Sequence, residues 1–409
     1  MRQVDASVMQ SLPIAKVSSE VCEALQVGNV ILQAEPGAGK STGLPLYLLG
    51  AGFDGKILLL EPRRIAAINV AKRLASQLDE KLGQTVGLRM RGRTEVGGST
   101  RLEVVTEGVL TRILQADPML DGVSLVIFDE FHERSLQADL GLALCLDVQR
   151  GLREDLRLLL MSATLDGEAL CAHVHAPAPI VCHVRQHPVD VVWLGESKSP
   201  LPQAVSRAVI RAVAEQRGDI LVFLPGVAEI ERTALQLQGR LSEEIELHRL
   251  HGAVSSQAQS AATAASGACR RVILSTSIAE TSITIDGVRV VVDCGLERRS
   301  KVDANGVERL ETVTASQASA TQRAGRAGRT QAGVCYRLWS ESTHSRRAER
   351  WQPELLRAEL SSLLIELGQW GIAEVDDLPW VDLPPVAAID GAKRLLCRLG
   401  LWAKDGLTA

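Results

Sequence analysis

The sequence predicts an α/β fold of two tandem parallel-sheet domains followed by a small helical module, and three observations point there. Short apolar runs alternate with amphipathic stretches through the first part of the chain. The alternation breaks once, in a proline- and histidine-rich stretch around Ala176 to Pro200, and then resumes. From about Thr343 it gives way to helical periodicity alone. Strand–helix alternation implies parallel strands whose sheet is covered on both faces.

Asn29 to Gln33, Lys56 to Leu60, Ser124 to Phe128 and Arg157 to Met161 read as buried strands of the first domain, being short, apolar and polar just beyond their ends. A helix is expected over Arg63 to Leu78. In the second domain Asp219 to Leu224, Arg271 to Thr276 and Arg289 to Asp293 have the same strand character, and Ala176 to Pro200 reads as the linker. The C-terminal module is expected to hold helices over Glu354 to Leu367 and Val386 to Leu399. Leu356, Leu360, Leu363, Leu364 and Leu367 fall on one face of the first. No repeat of solenoid period is present.

The chain has 409 residues, 46% hydrophobic and 23% charged, which excludes a disordered protein. No apolar run approaches the ~18 residues needed to cross a bilayer, and the N-terminus lacks a signal-peptide core. Eight cysteines without a CxxC pair read as reduced, so a cytoplasmic protein is expected. A net charge of −4 excludes a uniformly basic polyanion binder but leaves room for local basic clusters.

AEPGAGKST, Ala34 to Thr42, follows the first strand and is expected to open a helix, the context of a phosphate-binding loop. Gly37, Ala38 and Gly39 would turn backbone N–H groups toward phosphates, aided by the helix N-terminus. Lys40 would reach the β- and γ-phosphates, and Ser41, next to Thr42, would ligate Mg²⁺. DEFHER, Asp129 to Arg134, sets two carboxylates at the C-terminal end of a strand, where ligands sit in open α/β sheets. Asp129 would join Ser41 in holding Mg²⁺, Glu130 would take a proton from attacking water, and neutral His132 would link the γ-phosphate to moving parts. A strand–turn–helix with a chance lysine, and a solvated acidic turn, are the bland alternatives.

With these two motifs go LEPRRIAA (Leu60 to Ala67), VTEGVLTR (Val105 to Arg112), MSATL (Met161 to Leu165), ILVFLPG (Ile220 to Gly226), LHG (Leu250 to Gly252), STSIAETSITIDG (Ser275 to Gly287) and QRAGRAGR (Gln322 to Arg329). In this order the chain resembles the DEAH/RHA group of superfamily 2 ATP-dependent helicases, and among them the bacterial HrpB type, over nearly its whole length. The resemblance implies two RecA-like domains, 1–185 and 186–341, with a winged-helix-like module over 342–409. It implies ATP or another NTP with Mg²⁺ at the domain interface and RNA across both domains, with 3′-to-5′ movement. It gives Gln322 the placing of the hydrolytic water, and Arg326 and Arg329 the role of arginine fingers. Their alternative is a solvated helix face, against which the glycines at a three-residue interval argue, since helical glycine costs ~1 kcal/mol unless close approach requires it. Ser162, Ala163 and Thr164 would couple hydrolysis to domain movement, and Glu280, Thr281 and Ser282 would link nucleotide state to RNA.

RNA phosphates would be held by Arg63, Arg64, Thr106 and Thr276, contacts that position a strand without reading it. GLRMRGRTEVGGSTR, with Arg89, Arg91, Arg93 and Arg101, reads as a basic loop with either an RNA role or plain solvation. Aromatics are only 3% of residues, so stacking is not the main grip. An Asn305–Gly306 turn between Arg299 and Thr314 signals a hairpin, a strand-separating wedge in the family.

Two departures from the family shape further expectations. The chain stops at KDGLTA, before the family's ratchet and oligonucleotide-binding domains, so ATP hydrolysis is expected more firmly than unwinding. Ser255 to Arg271 lacks the aromatic residue that stacks on the base in eukaryotic relatives, so weak discrimination among triphosphates is expected. Outside the family pattern, six of the eight cysteines and eight histidines fall together: Cys171, His173, His175, Cys182, His183 and His187. A histidine-rich linker is the main reading there and a zinc site the lesser one. A non-catalytic RNA-binding paralogue and a DNA helicase remain the competing functions.

Overall fold

A computed structural model of the chain describes residues 12–53, 55–163, 167–184, 187–254, 256–263, 269–280, 285–302, 308–403 and 406–408. The expected roles of Thr164, Thr281 and Ser282, the Asn305–Gly306 turn and part of Ser255 to Arg271 lie outside the described residues. Contacts divide the chain into two compact units. The first comprises the described parts of Met1–Val184 and Gln352–Ala409, with Val302 and Glu308; the second those of Arg185–Lys301 and Arg309–Trp351.

The first unit is built on eight strands: β1 Val30–Ala34, β2 Lys56–Glu61, β3 Val86–Met90, β4 Arg93–Glu95, β5 Leu102–Thr106, β6 Val123–Phe128, β7 Arg157–Ser162 and β8 Ile180–Cys182. Their order is β4-β3-β5-β2-β6-β7-β1-β8, all neighbours parallel except β3 and β4. Alternate residues of each central strand feed opposite cores. Leu58, Leu60, Val126, Phe128, Leu158 and Leu160 pack on one face, and Ile57, Leu59, Leu125, Ile127, Leu159 and Met161 on the other. The four expected strands are present to within a residue, and the expected helix runs Arg64–Gln77.

The second unit holds β9 Val189–Trp193, β10 Asp219–Phe223, β11 Ile245–Leu250, β12 Arg270–Ser275, β13 Val288–Asp293 and β16 Gly333–Arg337, in the all-parallel order β11-β12-β10-β13-β16-β9. Between them β14 Leu296–Val302 and β15 Glu308–Thr314 form a two-stranded sheet.

The linker expectation is corrected: β8 and β9 both lie inside Ala176 to Pro200, each an edge strand of a different sheet. Edge strands show one free side to solvent, so they tolerate the prolines and exposed residues that hid them in the sequence. The basic loop is corrected too. It contains β3 and β4, Arg89 pairs with Glu103, Arg93 with Glu95, and Arg101 donates to the Phe53 and Gly55 carbonyls.

The C-terminal tail divides between the units. Residues up to Trp351 belong with the second, where the Arg299 guanidinium lies 4.3 Å from the Trp351 ring centroid. Beyond them stand 3₁₀ turns Glu354–Leu356 and Val375–Asp377 and helices Ser361–Trp370 and Val386–Arg398, with a hairpin of β17 Trp402–Ala403 and β18 Gly406–Leu407. The first helix therefore starts seven residues later than expected, and Leu355 rather than Leu356 is buried with Leu360, Leu363, Leu364 and Leu367. These leucines join the core that also contains Leu140, Leu144 and Phe128. Among the described residues no helix is long and apolar enough to cross a membrane.

Candidate active site

After β1 the chain turns through residues 35–43 before the helix Leu44–Gly50. Gly37 and Gly39 stand at φ +93° and +89°, a region open to glycine at little cost. A Cβ at Gly39 would also lie 2.9 Å from Leu12 Cδ1. The Ala38 carbonyl accepts from Ile14 N, and Gly43 N donates to the Gly39 carbonyl at 2.7 Å. The loop leads into the helix that follows it, and the bond from Gly43 N to the Gly39 carbonyl already spans four residues as a helical bond does. Lys40, Ser41 and Thr42 lie in turns ahead of the helix, with Gly43 at its N-cap and Pro45 at its second position.

Lys40, almost fully buried, reaches across to DEFHER. Its Nζ is 2.8 Å from Glu130 Oε2 and 3.8 Å from Asp129 Oδ1. The Ser41 hydroxyl bonds Asp129, and Glu130 N donates to Asp129 Oδ1 at 2.8 Å. The other oxygen of Asp129, Oδ2, is buried and has no hydrogen-bond partner among the described residues. An orphaned carboxylate oxygen beside a hydroxyl is a hard-donor pair of the kind that suits a divalent cation. His132 Nδ1 is 3.4 Å from Glu130 Oε2 and accepts from Ala163 N at 3.5 Å, which joins the second motif to Ser162 and Ala163.

A third carboxyl escaped sequence reasoning. Glu61, quoted there only within LEPRRIAA, ends β2 and is buried against Asp129. Its burial, with Asp129 and Glu130 nearby, pushes its pKa well above the usual carboxylate range. Burial also raises Asp129, against the pull of Lys40. Burial opposes the charge on Lys40, yet Glu130 and Asp129 outweigh it and the ammonium's pKa rises. His132 is pushed down by burial and stays neutral at pH 7.

Arg63, Arg64 and Thr106 stand at the C-terminal ends of β2 and β5. Arg63 Nη2 is 3.2 Å from both carboxylate oxygens of Glu133, Arg64 is exposed as the first residue of its helix, and Thr106 precedes the helix Glu107–Ala116. In the second unit Thr276 directly follows β12, and its N–H donates to the Leu250 carbonyl.

Gln322 is half-buried on the helix Gln317–Gly325, and Arg326 opens the 3₁₀ turn Arg326–Gly328, with Arg329 half-buried after it. Arg326 Nε donates to the Glu280 carbonyl at 2.8 Å and Nη2 reaches the same oxygen. The solvated-face alternative is overturned, because Arg323 and Arg326 are both buried. Arg323, which sequence reasoning passed over, is the centre of this region. It pairs with Glu280, Asp293 and Glu297, at 2.9, 3.1 and 2.7 Å. The glycine argument holds at one position of two. A Cβ on Gly328 would lie 2.6 Å from the His187 carbonyl, whereas one on Gly325 would meet open space.

The zinc reading fails on placement. Cys171 lies in the core on one face of the first sheet and Cys182 in the core on the other. His173 Nε2 bonds the Pro379 carbonyl, and the His187 N–H bonds the Gly328 carbonyl in the second unit. No group of three potential metal ligands from Cys, His, Asp and Glu exists among the described residues.

Against known proteins, residues 15–171 match the family model described as DEAD/DEAH box helicase, and residues 203–331 the one described as helicase conserved C-terminal domain. The chain is 50% identical to the ATP-dependent RNA helicase HrpB of Escherichia coli (strain K12), covering 98% of this chain and 50% of that protein. It is 35% identical to the pre-mRNA-splicing factor ATP-dependent RNA helicase DEAH10 of Arabidopsis thaliana, over 99% of this chain and 64% of that one. The crystal structure of the Escherichia coli DEAH/RHA helicase HrpB superposes with a TM-score of 0.94 at 50% identity, over 98% of this chain and 52% of that chain. This chain thus spans about half the length of the first of these relatives.

Proposed function

We propose that the chain is a member of the DEAD/DEAH box helicase family and an ATP-dependent RNA helicase or translocase, acting in the cytoplasm and moving 3′ to 5′. The observation that carries this reading is the meeting of Lys40 with Asp129 and Glu130, ninety residues away, at the C-terminal end of a parallel sheet.

The Gly37–Ala38–Gly39 turn would cradle the phosphates, and Lys40 would exchange Glu130 for β- and γ-phosphate oxygens. Ser41 and Asp129 would hold Mg²⁺, which neutralises phosphate charge when bound, and the orphaned Asp129 oxygen fits that use. Glu130, released from the ammonium, would accept the proton of the attacking water as the bond from the γ-phosphorus to its bridging oxygen breaks. Neutral His132 would report this to Ala163. In the second unit Gln322 would orient the water, and Arg326 and Arg329 would stabilise the transferred phosphoryl, a role worth roughly 10³–10⁵ in rate in other NTPases. Arg326 would give up part of its bonding to the Glu280 carbonyl in doing so, a direct tie to the segment assigned to RNA. Arg63, Arg64, Thr106 and Thr276 would hold RNA phosphates, the β14–β15 hairpin would act as wedge, and the helices and hairpin after residue 352 are the proposed winged-helix-like module.

Steady-state ATP hydrolysis with and without RNA tests the reading. Glu130→Gln is expected to lower kcat by about 10³-fold while nucleotide and RNA binding persist. Hydrolysis stimulated equally by DNA of matched sequence would favour a DNA helicase, and RNA binding with no turnover in the parent chain a non-catalytic paralogue.

A further inference from the structure

The turn that presents Glu130 and His132 is bracketed by two residues in the left-handed region, Glu130 at φ 51° and Arg134 at φ 46°. Non-glycine residues hold that conformation only where their surroundings impose it. At the Glu130 end the surroundings are Lys40 and Asp129. At the Arg134 end they come from Asp139 and Phe131 beside the turn and from the C-terminal segment. Arg134 Nε donates to buried Asp139 Oδ1 at 2.7 Å and Nη2 to Asp382 Oδ2 at 2.7 Å, while the guanidinium lies 5.6 Å from the Phe131 ring centroid. The Arg134 carbonyl accepts from Glu354 N at 3.0 Å, and the Glu354 carboxylate accepts from Leu136 N at 2.9 Å. The exit of the catalytic turn is therefore clamped by residues 218 and 248 positions removed from their partners.

We propose that Glu354 and Asp382 are positioning residues for nucleotide hydrolysis, holding Arg134 so that the turn delivers Glu130 and His132 in working geometry. The C-terminal segment is then a working part of the hydrolytic site and not merely a cover for the first unit. The inference rests on the proposed role of Glu130. Side-chain charge matters here because Asp139 takes both Nε and Nη2 of Arg134, the second at 3.3 Å, and Asp382 adds a shorter charge-assisted bond to the same Nη2, so the guanidinium is held between two carboxylates.

The test uses the full chain with ATP, Mg²⁺ and RNA. Asp382→Asn and Glu354→Ala, which removes the acceptor for Leu136 N, should each lower kcat about tenfold, with KM for ATP within twofold and melting temperature within a few degrees of the parent. Asp382→Glu should recover most of the rate, and adding Asp382→Asn to Arg134→Lys should cost little beyond Arg134→Lys alone. An active parent whose Asp382→Asn and Glu354→Ala variants turn over at the parental rate overturns the inference. So does a loss that tracks melting temperature, raises KM in parallel and is not rescued by glutamate. A parent that hydrolyses nothing overturns the functional reading itself, and the inference with it.

Discussion

Lys40 sits among three buried carboxyl groups, Glu61, Asp129 and Glu130, and is the cation that balances them in their own unit. Removing one partner of such an arrangement strands the others, typically at about 3–5 kcal/mol. Lys40→Met should therefore abolish ATP turnover and also lower the melting temperature. The direction with pH follows from burial. Carboxyls whose folded pKa is raised bind more protons folded than unfolded, so their contribution to stability grows as pH falls. The stability deficit of Lys40→Met should shrink between pH 8 and pH 5, and scanning calorimetry across that range checks it; a deficit that widens on acidification would contradict the assignment. The same residue shows how far sequence reading reaches. The lysine, Asp129 and Glu130 were legible from their motifs, whereas Glu61 was not, because a carboxylate at a strand end looks the same whether it meets solvent or another acid. Likewise Arg323 lies within QRAGRAGR beside the arginines singled out, and only its burial among Glu280, Asp293 and Glu297 separates it from them.

Two elements carry predictions of their own. The helix Glu107–Ala116 begins with an acidic residue, favourable at a helix N-terminus, yet burial raises the Glu107 pKa to about 7, with Glu133, Glu354 and Asp139 adding repulsion against the Ser135 hydrogen bond. That group's stabilising contribution is complete below the unfolded carboxylate pKa and is lost as pH rises through about 7. Glu107→Gln should flatten the fall in melting temperature between pH 5 and pH 8, measured against the parent. The 3₁₀ turn Arg326–Gly328 tests close packing. Gly328→Ala drives a methyl into the His187 carbonyl and should lower melting temperature by several degrees. Gly325→Ala, at helical φ −57° with open space around it, should hold or raise it. Equal losses at both positions would mean that the interval itself, not the approach to β9, is what the turn requires.

At the scale of the molecule, the C-terminal segment is part of the first unit's interior. Leu355, Leu360, Leu363, Leu364, Leu367, Trp380, Leu396 and Trp402 share one core with Leu140, Leu144 and Phe128, and burying each such side chain is worth roughly 1.5–3 kcal/mol. Trp370 Nε1 adds a hydrogen bond to Asp147 at 2.9 Å. A chain ending after Trp351 should expose this apolar surface, bind anilinonaphthalene sulfonate strongly and either aggregate or melt more than ten degrees lower. A truncated chain that stays monomeric with the parental melting temperature would show that the segment is dispensable to the fold.

The sequence by itself determined the strands at the centre of both sheets, the glycines and lysine of AEPGAGKST, and the paired acids Asp129 and Glu130. Each of these rests on local chemistry: a run of apolar residues long enough for one strand, a glycine where φ turns positive, a charge at a strand end. Only tertiary structure decided the rest. Ile180–Cys182 and Val189–Trp193 became strands because each sheet had an open edge, and the first C-terminal helix started at Ser361 because Glu354 was taken up by the turn at Arg134. Cys171 and Cys182 fell to opposite faces of one sheet, and Arg323 rather than its neighbours drew the buried carboxylates. The physical reason is common to all four: pairing, burial and charge neutralisation are settled between residues distant in the chain, and a single strand of text carries no record of which distant partner arrives.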